Sequence, residues 1–294
     1  MRDYYLELPP FAGILSPGET PRQRLAYCLI LFSPENQPRE MLQEYISVLP
    51  WHLGGLQAMG AFEHLDVYVV TDGMLFDEVS RVLAPTEWPS SRLLQFTSHE
   101  VYWWMRRLVA MRHPALHQYA GVLHCDVGVL PRRHREYDFA KTAAWCPSRQ
   151  PYAFVESPLF PPGTYRESDM FWSSVDKPAN WKRFRKYVGD PHLRLNWRKN
   201  AEVYPHYRVR GFHFGMSPEK LHAPEMDELL TRLGDIFEGD EGMIALYLFK
   251  HNVTSAECFV LPSAHLQYMP HASSVEGYPG AEETFRAYLE RAST

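Results

Sequence analysis

The sequence predicts an α/β protein whose first half is built on buried parallel strands. Ala26–Phe32 is a continuous apolar run of strand length, and Leu65–Val70, which is apolar apart from Asp66, is a second predicted strand. Residues 121–125 form a third apolar run, which ends at a carboxylate, Asp126. Unbroken apolarity over such a length is typical of strands covered on both faces, as the strands of a parallel sheet are.

Segments with a helical spacing of apolar residues lie between these strands. The longest is Pro38–Met59, where interruptions are expected at Pro50 and at a following glycine pair. Further helices are expected at 75–83 and 101–111, on either side of a short strand at 92–96. This alternation of strand and helix indicates the nucleotide-binding type of α/β half-domain.

The pattern is weaker after this point in the chain. Proline-rich and tryptophan-rich segments between residues 131 and 210 predict long ordered loops. Strands are expected at 212–216 and 258–261. Ser217-Pro218 has the form of an N-cap followed by proline at the first helical position, so a long helix is expected there. Another helix is expected at 240–250.

Composition excludes several classes of protein. The chain has 294 residues and a net charge of −5, which argues against a general nucleic-acid binder. No apolar run approaches the length of a membrane-spanning helix, and the N-terminus has no continuous apolar signal region. We therefore expect a cytoplasmic protein with no transmembrane segment.

Polar residues that follow the strands predict a ligand site at one edge of the sheet. Ser33 follows the first strand, Asp72 follows the second, and Asp126 closes the strand at 121–125. In open parallel sheets, ligands bind beyond the carboxyl ends of the strands. All three residues would lie on that edge, although strand-end polar residues also occur merely to end a strand.

Asp126 has two interpretations. A carboxylate in an apolar run is costly unless its charge is compensated. The Asp126 side chain can ligate a hard cation that bridges phosphate oxygens. Alternatively, Asp126-Val127-Gly128 is a turn in which the carboxylate accepts backbone N–H groups.

Two charged pairs are candidates for the same site. Asp240 and Glu241 begin a predicted helix, where they either complement its dipole or act at a sugar. Arg106 and Arg107 lie on the helix before the third apolar run, where they either pair with a diphosphate or are solvent-exposed. The basic, aromatic segment 181–199 is a further candidate for binding phosphate.

The 14 histidines contain no zinc-binding signature. His124 lies within a predicted strand and is expected to be a core histidine. His265 follows the last predicted strand, and it is the candidate for a further metal contact beside Asp126.

Two stretches of the chain resemble the GT-A fold glycosyltransferases. The first runs from Glu100-Val-Tyr-Trp-Trp-Met-Arg-Arg-Leu to Tyr119-Ala-Gly-Val-Leu-His-Cys-Asp-Val-Gly, and is similar to the family's arginine-bearing helix and Asp-x-Asp strand. The second comprises Phe212-His-Phe-Gly, a long helix, Asp240-Glu241-Gly-Met-Ile and Tyr247-Leu-Phe-Lys-His, and looks like the acceptor half of retaining members. The layout is closest to the histo-blood-group-type and glycogenin-like transferases.

The resemblance implies a GT-A type fold, which is a Rossmann-like mixed sheet flanked by helices. It implies a single domain of two fused halves, with nucleotide-sugar binding at about 25–130 and acceptor binding and catalysis at about 131–294. The first Asp of the family motif, which contacts the donor ribose or a metal, maps onto Asp126. The second, usually the main metal ligand, falls on Gly128. This departure leaves three alternatives: a metal-independent enzyme, a Mn²⁺ or Mg²⁺ site completed by His265 or another acid, or a degenerate binder.

The leading hypothesis is a glycosyltransferase that moves a sugar from a nucleotide-sugar donor to a hydroxyl of a carbohydrate or glycoconjugate acceptor, with retention of configuration. The residues assigned to the donor are Phe32, Ser33, Asp72, Arg106, Arg107 and Asp126. Glu241 is assigned to the donor sugar, with Asp240 beside it. A catalytically silent nucleotide-sugar-binding protein on the same scaffold is the alternative, and a nucleotidyltransferase is a weaker one.

Overall fold

A mixed seven-stranded sheet with helices on both faces is the central feature of the computed structural model. The residues that the structure describes are 24–33, 39–97, 105–131, 139–155, 182, 185–186, 189, 213–232, 244, 247–248, 250–261, 265–269 and 274–276. The strands are β1 (Leu25–Leu31), β2 (Leu65–Asp72), β3 (Leu93–Phe96), β4 (Gly121–Asp126), β5 (Val129–Pro131), β6 (Tyr152–Val155), β7 (His213–Met216), β8 (Cys258–Leu261), β9 (His265–Met269) and β10 (Ser274–Glu276). The α-helices are α1 (Arg39–Ala58), α2 (Ala61–His64), α3 (Phe76–Leu83), α4 (Arg106–Met111), α5 (Phe139–Ala143), α6 (Pro218–Leu221) and α7 (Pro224–Arg232).

The strand order places a topological switch point in the middle of the large sheet. Its order is β3-β2-β1-β4-β7-β6-β8, and β5, β9 and β10 form a separate antiparallel sheet. The β3-β2-β1-β4 portion is parallel throughout, whereas β7 runs antiparallel to both of its neighbours. The order 3-2-1-4 is that of the nucleotide-binding half of a doubly wound fold, in which ligands bind beyond the carboxyl ends of β1 and β4.

The register brings the carboxyl ends of the first strands to one level. Leu31 of β1 pairs with Thr71 of β2, and Ile30 pairs with Asp126 at the end of β4. Ser33 and Asp72 therefore leave the sheet beside Asp126, as the sequence predicts.

Two apolar cores cover the two faces of the sheet. Alternate residues of β1 enter opposite cores: Tyr27 and Leu29 pack with residues of α1, α2 and α3, whereas Cys28 and Ile30 pack with residues of α4, α6 and α7. All seven residues of β1 are buried. Burial on both faces explains why the run carries no polar residue.

The predicted fold class is confirmed: the protein is α/β, with a Rossmann-like mixed sheet flanked by helices, the architecture that the GT-A resemblance predicts. The six predicted strands that fall on described residues are all present. Two helices differ from expectation. The helix expected to break at Pro50 is continuous from Arg39 to Ala58, and the one expected after Ser217 is divided into α6 and α7. The division into two functional halves stays a prediction.

Within the described part of the chain, no helix combines the length and apolarity needed to span a bilayer. The localisation predicted above is not tested by this finding.

A buried ionic cluster joins the strand beginnings at the opposite edge of the sheet. Asp66 of β2 forms ion pairs of 3.3 Å with Arg24, which precedes β1, and with Arg92, which precedes β3. The hydroxyl of Tyr119, just before β4, donates to the second Asp66 oxygen at 2.8 Å. Tyr68 donates in turn to the Tyr119 hydroxyl, at 2.7 Å. One carboxylate thus links the starts of four strands.

A buried histidine supports the loop after β4 from the α1 side. His52 has no exposed surface, and its Nδ1 lies 2.9 Å from the carbonyl oxygen of Val127, to which it donates. Burial lowers the pKa of His52 to about 4, although the Val127 hydrogen bond and the nearby Asp126 charge act to raise it. His52 is therefore neutral at physiological pH.

Asp66→Asn should destabilise the protein strongly. The substitution removes the negative charge that Arg24 and Arg92 share, and the side chains of both arginines are nearly buried. Breaking a buried ion pair by removing one partner costs about 3 kcal/mol or more of unfolding free energy. Urea-induced unfolding measures this change. Asp77→Asn, an exposed carboxylate on α3, is the matched control and should cost less than about 1 kcal/mol. Equal effects of the two substitutions would show that the cluster does not stabilise the sheet.

The titration of His52 should lower the free energy of unfolding as the pH is reduced from 7 to 4. The pKa is lower in the folded state than in the unfolded state, so protons bind to the unfolded chain first as the pH falls below about 6.5. Folding stability due to His52 is present above pH 6.5 and is lost toward pH 4, by at most about 3 kcal/mol. His52→Asn retains a donor for Val127 but does not titrate. The difference in unfolding free energy between wild type and His52→Asn should shrink over this range, and parallel pH profiles would contradict the assignment.

Candidate ligand site at the carboxyl edge of the sheet

The structure joins the six residues assigned to the donor into one network at the switch point. They lie at the ends of β1, β2 and β4 and on the first turn of α4: Phe32, Ser33, Asp72, Arg106, Arg107 and Asp126. Each makes a hydrogen bond, an ion pair or a cation–π contact with another member. Their convergence is a structural fact, whereas their role in binding a nucleotide stays a prediction.

Asp72 closes the turn after β2 and holds the segment after β1. One carboxylate oxygen accepts the backbone N–H of Ser33 at 2.6 Å, and the other accepts that of Leu75 at 3.1 Å. The second contact is the side-chain turn that strand-end Asp residues commonly make. The first contact fixes the position of Ser33 relative to β2. Asp72 thus shapes the edge of the sheet through backbone contacts.

The two arginines of α4 face different parts of this edge. Nη1 of Arg106 donates to the Ser33 carbonyl at 2.7 Å, which fixes the segment after β1 from a second side. The guanidinium carbon of Arg107 lies 5.7 Å from the centre of the Phe32 ring. Arg107 also contacts Asp126, so it connects the end of β1 with the end of β4 across the switch point.

Asp126 is held by two side chains. Nη2 of Arg107 lies 3.0 Å from one carboxylate oxygen and 3.1 Å from the other. Nε2 of His124 lies 3.1 Å from the first of these oxygens. The Asp126 side chain is 28% exposed, whereas that of His124 has no exposed surface, so the carboxylate is partly accessible and its histidine partner is not.

The electrostatics of this group keep Asp126 ionised. Burial acts to raise the pKa of Asp126, but the Arg107 charge and the His124 hydrogen bond outweigh it and hold the pKa below its ordinary value. Burial lowers the pKa of His124, even against the attraction of Asp126. An ionised carboxylate can only accept hydrogen bonds, so neutral His124 donates through Nε2. The pair Arg107–Asp126 is therefore formally neutral at physiological pH.

The surroundings of the Asp126 carboxylate do not suit a divalent cation. Both oxygens already face Arg107, and the position of the second family Asp is Gly128. A cation bound to these oxygens would lie close to the guanidinium, and two unit charges about 4 Å apart repel by roughly 4 kcal/mol at an effective dielectric constant of 20. Among the residues that the structure describes, no three metal-ligating side chains are grouped to hold an ion. Arg107 thus competes with a divalent cation for the Asp126 oxygens, and Mn²⁺ or Mg²⁺ at this residue stays a prediction.

Some predicted site residues are not placed in this network. Asp240, Glu241 and most of the basic segment 181–199 lie outside the described residues. His265 begins β9, where its Cα pairs with Pro131 of β5, and its role as a metal contact stays a prediction. The strand β5 follows Asp126 after a two-residue turn, so β9 approaches the candidate site through backbone pairing.

Two histidines at the site were not among the predicted site residues. His124 was expected to be a core histidine, and it is buried, but it also contacts Asp126. The i, i+2 spacing of His124 and Asp126 could have predicted this contact, because residues with that spacing lie on the same face of a strand. His52 contacts Val127 from 75 positions away, and nothing in the local sequence indicates that contact.

Comparisons with known proteins give weak structural similarity. No protein-family model matches the chain, and none of the curated proteins searched matches it. An X-ray structure of the mannosyltransferase Ktr4p from S. cerevisiae is similar with a TM-score of 0.43 and 14% identity, covering 100% of this chain and 90% of that one. The structure of Ktr4p in complex with GDP is similar with a TM-score of 0.38, at the same identity and coverage. Because even a shared fold does not imply a shared function, function must be argued from the site.

Proposed function

We propose that the protein is a nucleotide-sugar-dependent glycosyltransferase that acts on a carbohydrate or glycoconjugate hydroxyl, with retention of configuration. The observation that carries the proposal is the convergence of two arginines and two carboxylates at the switch point between β1 and β4. This is the place where open α/β sheets bind nucleotides. The resemblance of residues 100–128 to the arginine helix and Asp strand of GT-A enzymes supports sugar transfer over other nucleotide chemistry.

The described residues suggest how the donor is held. The segment Phe32-Ser33 is fixed on two sides, by Asp72 at the Ser33 N–H and by Arg106 at the Ser33 carbonyl. A rigid wall of this kind suits the nucleoside, since it is positioned before the ligand arrives. Arg107 lies at the centre of the edge, where its planar fork can pair with phosphate oxygens.

Catalysis would come from positioning and from electrostatic stabilisation of the departing diphosphate. The acidic pair Asp240 and Glu241 would complete the site from the second half of the chain. In this assignment Glu241 stabilises the positive charge that develops at the anomeric carbon, and Asp240 orients the acceptor. The assignment comes from the family resemblance of these residues.

Glu241→Gln should lower sugar transfer by about 100-fold or more, because the charge at the reacting sugar is lost while the size of the side chain is kept. The measurement is the release of nucleoside diphosphate from a panel of nucleotide sugars in the presence of an acceptor mixture. Binding of the diphosphate, followed by calorimetry, should be unchanged. Glu219→Gln, an exposed acid on α6, is the matched control and should retain full activity.

The same assay separates the alternatives. Diphosphate binding without turnover of any donor would indicate a catalytically silent binding protein. Release of pyrophosphate would indicate a nucleotidyltransferase. Normal transfer by Glu241→Gln would remove that residue from the mechanism, and the absence of any nucleotide binding would refute the proposal.

A further inference from the structure

We infer that three histidines form an acid-sensitive junction, which fastens α6 and α7 to the segment between α4 and β4 and opens when the histidines are protonated. His113 and His117 flank the short 3-10 turn Pro114–Leu116 of that segment, and His222 follows the last residue of α6. The junction lies on the face of the sheet that α4, α6 and α7 cover.

The central contact of the junction joins His117 and His222. Their rings meet edge to face, with 4.0 Å between the ring centres and 73° between the planes. Nε2 of His117 lies 3.0 Å from the carbonyl oxygen of Arg112, so this nitrogen carries a proton and donates. Nε2 of His222 is buried and has no hydrogen-bond partner among the residues that the structure describes. A charged His222 would hold an N–H there without an acceptor, which is costly, so the contact suits two neutral rings.

The charges around this pair also favour neutral rings. Nη2 of Arg112 forms an ion pair of 2.6 Å with Asp227 of α7, which is a second link between the two sides of the junction. Burial, followed by the charges of His117 and Arg112, lowers the pKa of His222, although the attraction of Asp227 opposes this shift. A proton on either ring would therefore place like charges together at the contact.

His113 makes a further contact that a proton would break. Its Nδ1 accepts the backbone N–H of Ala115 at 3.2 Å, and this hydrogen bond caps the turn Pro114–Leu116. A proton on Nδ1 would remove the acceptor. Burial and the charge of His117 lower the pKa of His113, against a hydrogen bond with the backbone of Gln95. His117 thus acts on both of the other histidines.

The junction is continuous with the helix that carries the arginines of the candidate ligand site. α4 ends at Met111, directly before the segment that contains the histidines. Met111 and Leu116 share an apolar core with Leu221 of α6 and Met226 of α7. Release of α6 and α7 would remove packing from the carboxyl end of α4, so acid would loosen a support of the ligand site.

The sign of the pH dependence follows from the lowered pKa values of His113 and His222. Opening exposes these side chains to water, where a histidine titrates near pH 6.5. Because the pKa values are lower in the closed state, protons bind to the open state first as the pH falls. The closed junction is therefore fully stabilised above about pH 6.5 and loses stability below it. At pH 5.5 each released histidine favours opening by a factor of up to about ten.

A fourth histidine, His251, acts on another face of α7 and has to be separated from the junction. Burial and the charge of Lys250 lower the pKa of His251, and Lys220 lowers it further, whereas Glu225 and Glu228 act to raise it. His251→Gln removes this titration and leaves the three histidines of the junction in place.

The experiment is hydrogen–deuterium exchange of the full chain at pH 7.5 and pH 5.5, measured by mass spectrometry and corrected for the intrinsic exchange rate. Peptides from β1 and β2 are the internal reference, because they report opening of the whole sheet. In the wild type, protection of α6 and α7 should fall by about 10-fold or more relative to this reference. His222→Phe keeps a ring that cannot be protonated, and His117→Gln keeps a donor for the Arg112 carbonyl. Each variant should make the fall at least about threefold smaller.

His64→Gln removes a histidine from α2, on the opposite face of the sheet, and is the matched control that should behave as the wild type. Thermal unfolding at pH 7.5 shows whether each variant is folded, and if one junction variant does not fold, the other decides the result. Three outcomes would overturn the junction: no relative loss of protection in the wild type, a folded junction variant that loses as much as the wild type, or a loss that His251→Gln alone abolishes. None of them affects the proposed function, which nucleotide binding tests separately.

Discussion

The contact between Arg107 and Asp126 determines what the carboxyl edge of this sheet can do. A carboxylate at the end of a buried strand must be compensated, and here the compensation is a guanidinium from α4. Because the partner is a protein cation, the charge of Asp126 is balanced within the protein, and both of its oxygens contact the guanidinium. The same contact joins α4 to β4, and the neighbouring residue Arg106 joins α4 to the end of β1. The geometry of the site and the packing of α4 are therefore set together.

The two edges of the sheet use similar chemistry for different purposes. At the amino edge, Asp66 is 12% exposed and shares its charge between two arginines and a tyrosine hydroxyl. At the carboxyl edge, the side chain of Asp126 is 28% exposed, with one arginine and one histidine behind it. The first cluster is closed and joins strands, whereas the second leaves part of the Asp126 carboxylate exposed, although the arginines of both clusters are equally buried. Exposure thus distinguishes a cluster that stabilises the fold from one that can meet a ligand.

The sequence predicts the large sheet well because its buried strands stand out as short, mostly apolar segments. A strand covered on both faces is mostly apolar, so β1 and the central part of β2 could be predicted from their composition. The place of the residues after them followed from the rule that ligands bind at the carboxyl ends of parallel strands. Helix continuity was harder to predict. Pro50 lacks an N–H and should break α1, yet Leu49, Trp51 and Leu53 around it are all buried, and their packing holds the helix together.

The contacts of the site were the least predictable part. Sequence spacing placed Arg107 and Asp126 on successive elements, but it did not show whether the arginine would face a ligand, solvent or the carboxylate. The group that Arg107 contacts depends on where α4 packs, and this position is set by long-range contacts in the core. The short strands β5, β6, β9 and β10 were not predicted, because three to five residues carry too little periodicity to be distinguished from a loop.

The supports behind Asp126 indicate that the site is formed before any ligand binds. The turn after β4 is held at Val127 by His52 of α1, and Asp126 is held by His124 of its own strand and by Arg107 of α4. These three supports come from both faces of the sheet and from the sheet itself. Moving Asp126 would leave the buried His124 Nε2–H without its acceptor, which is costly in an apolar interior. A ligand at this edge would therefore meet a carboxylate and a guanidinium already in position, and little of its binding free energy would be spent on ordering the site.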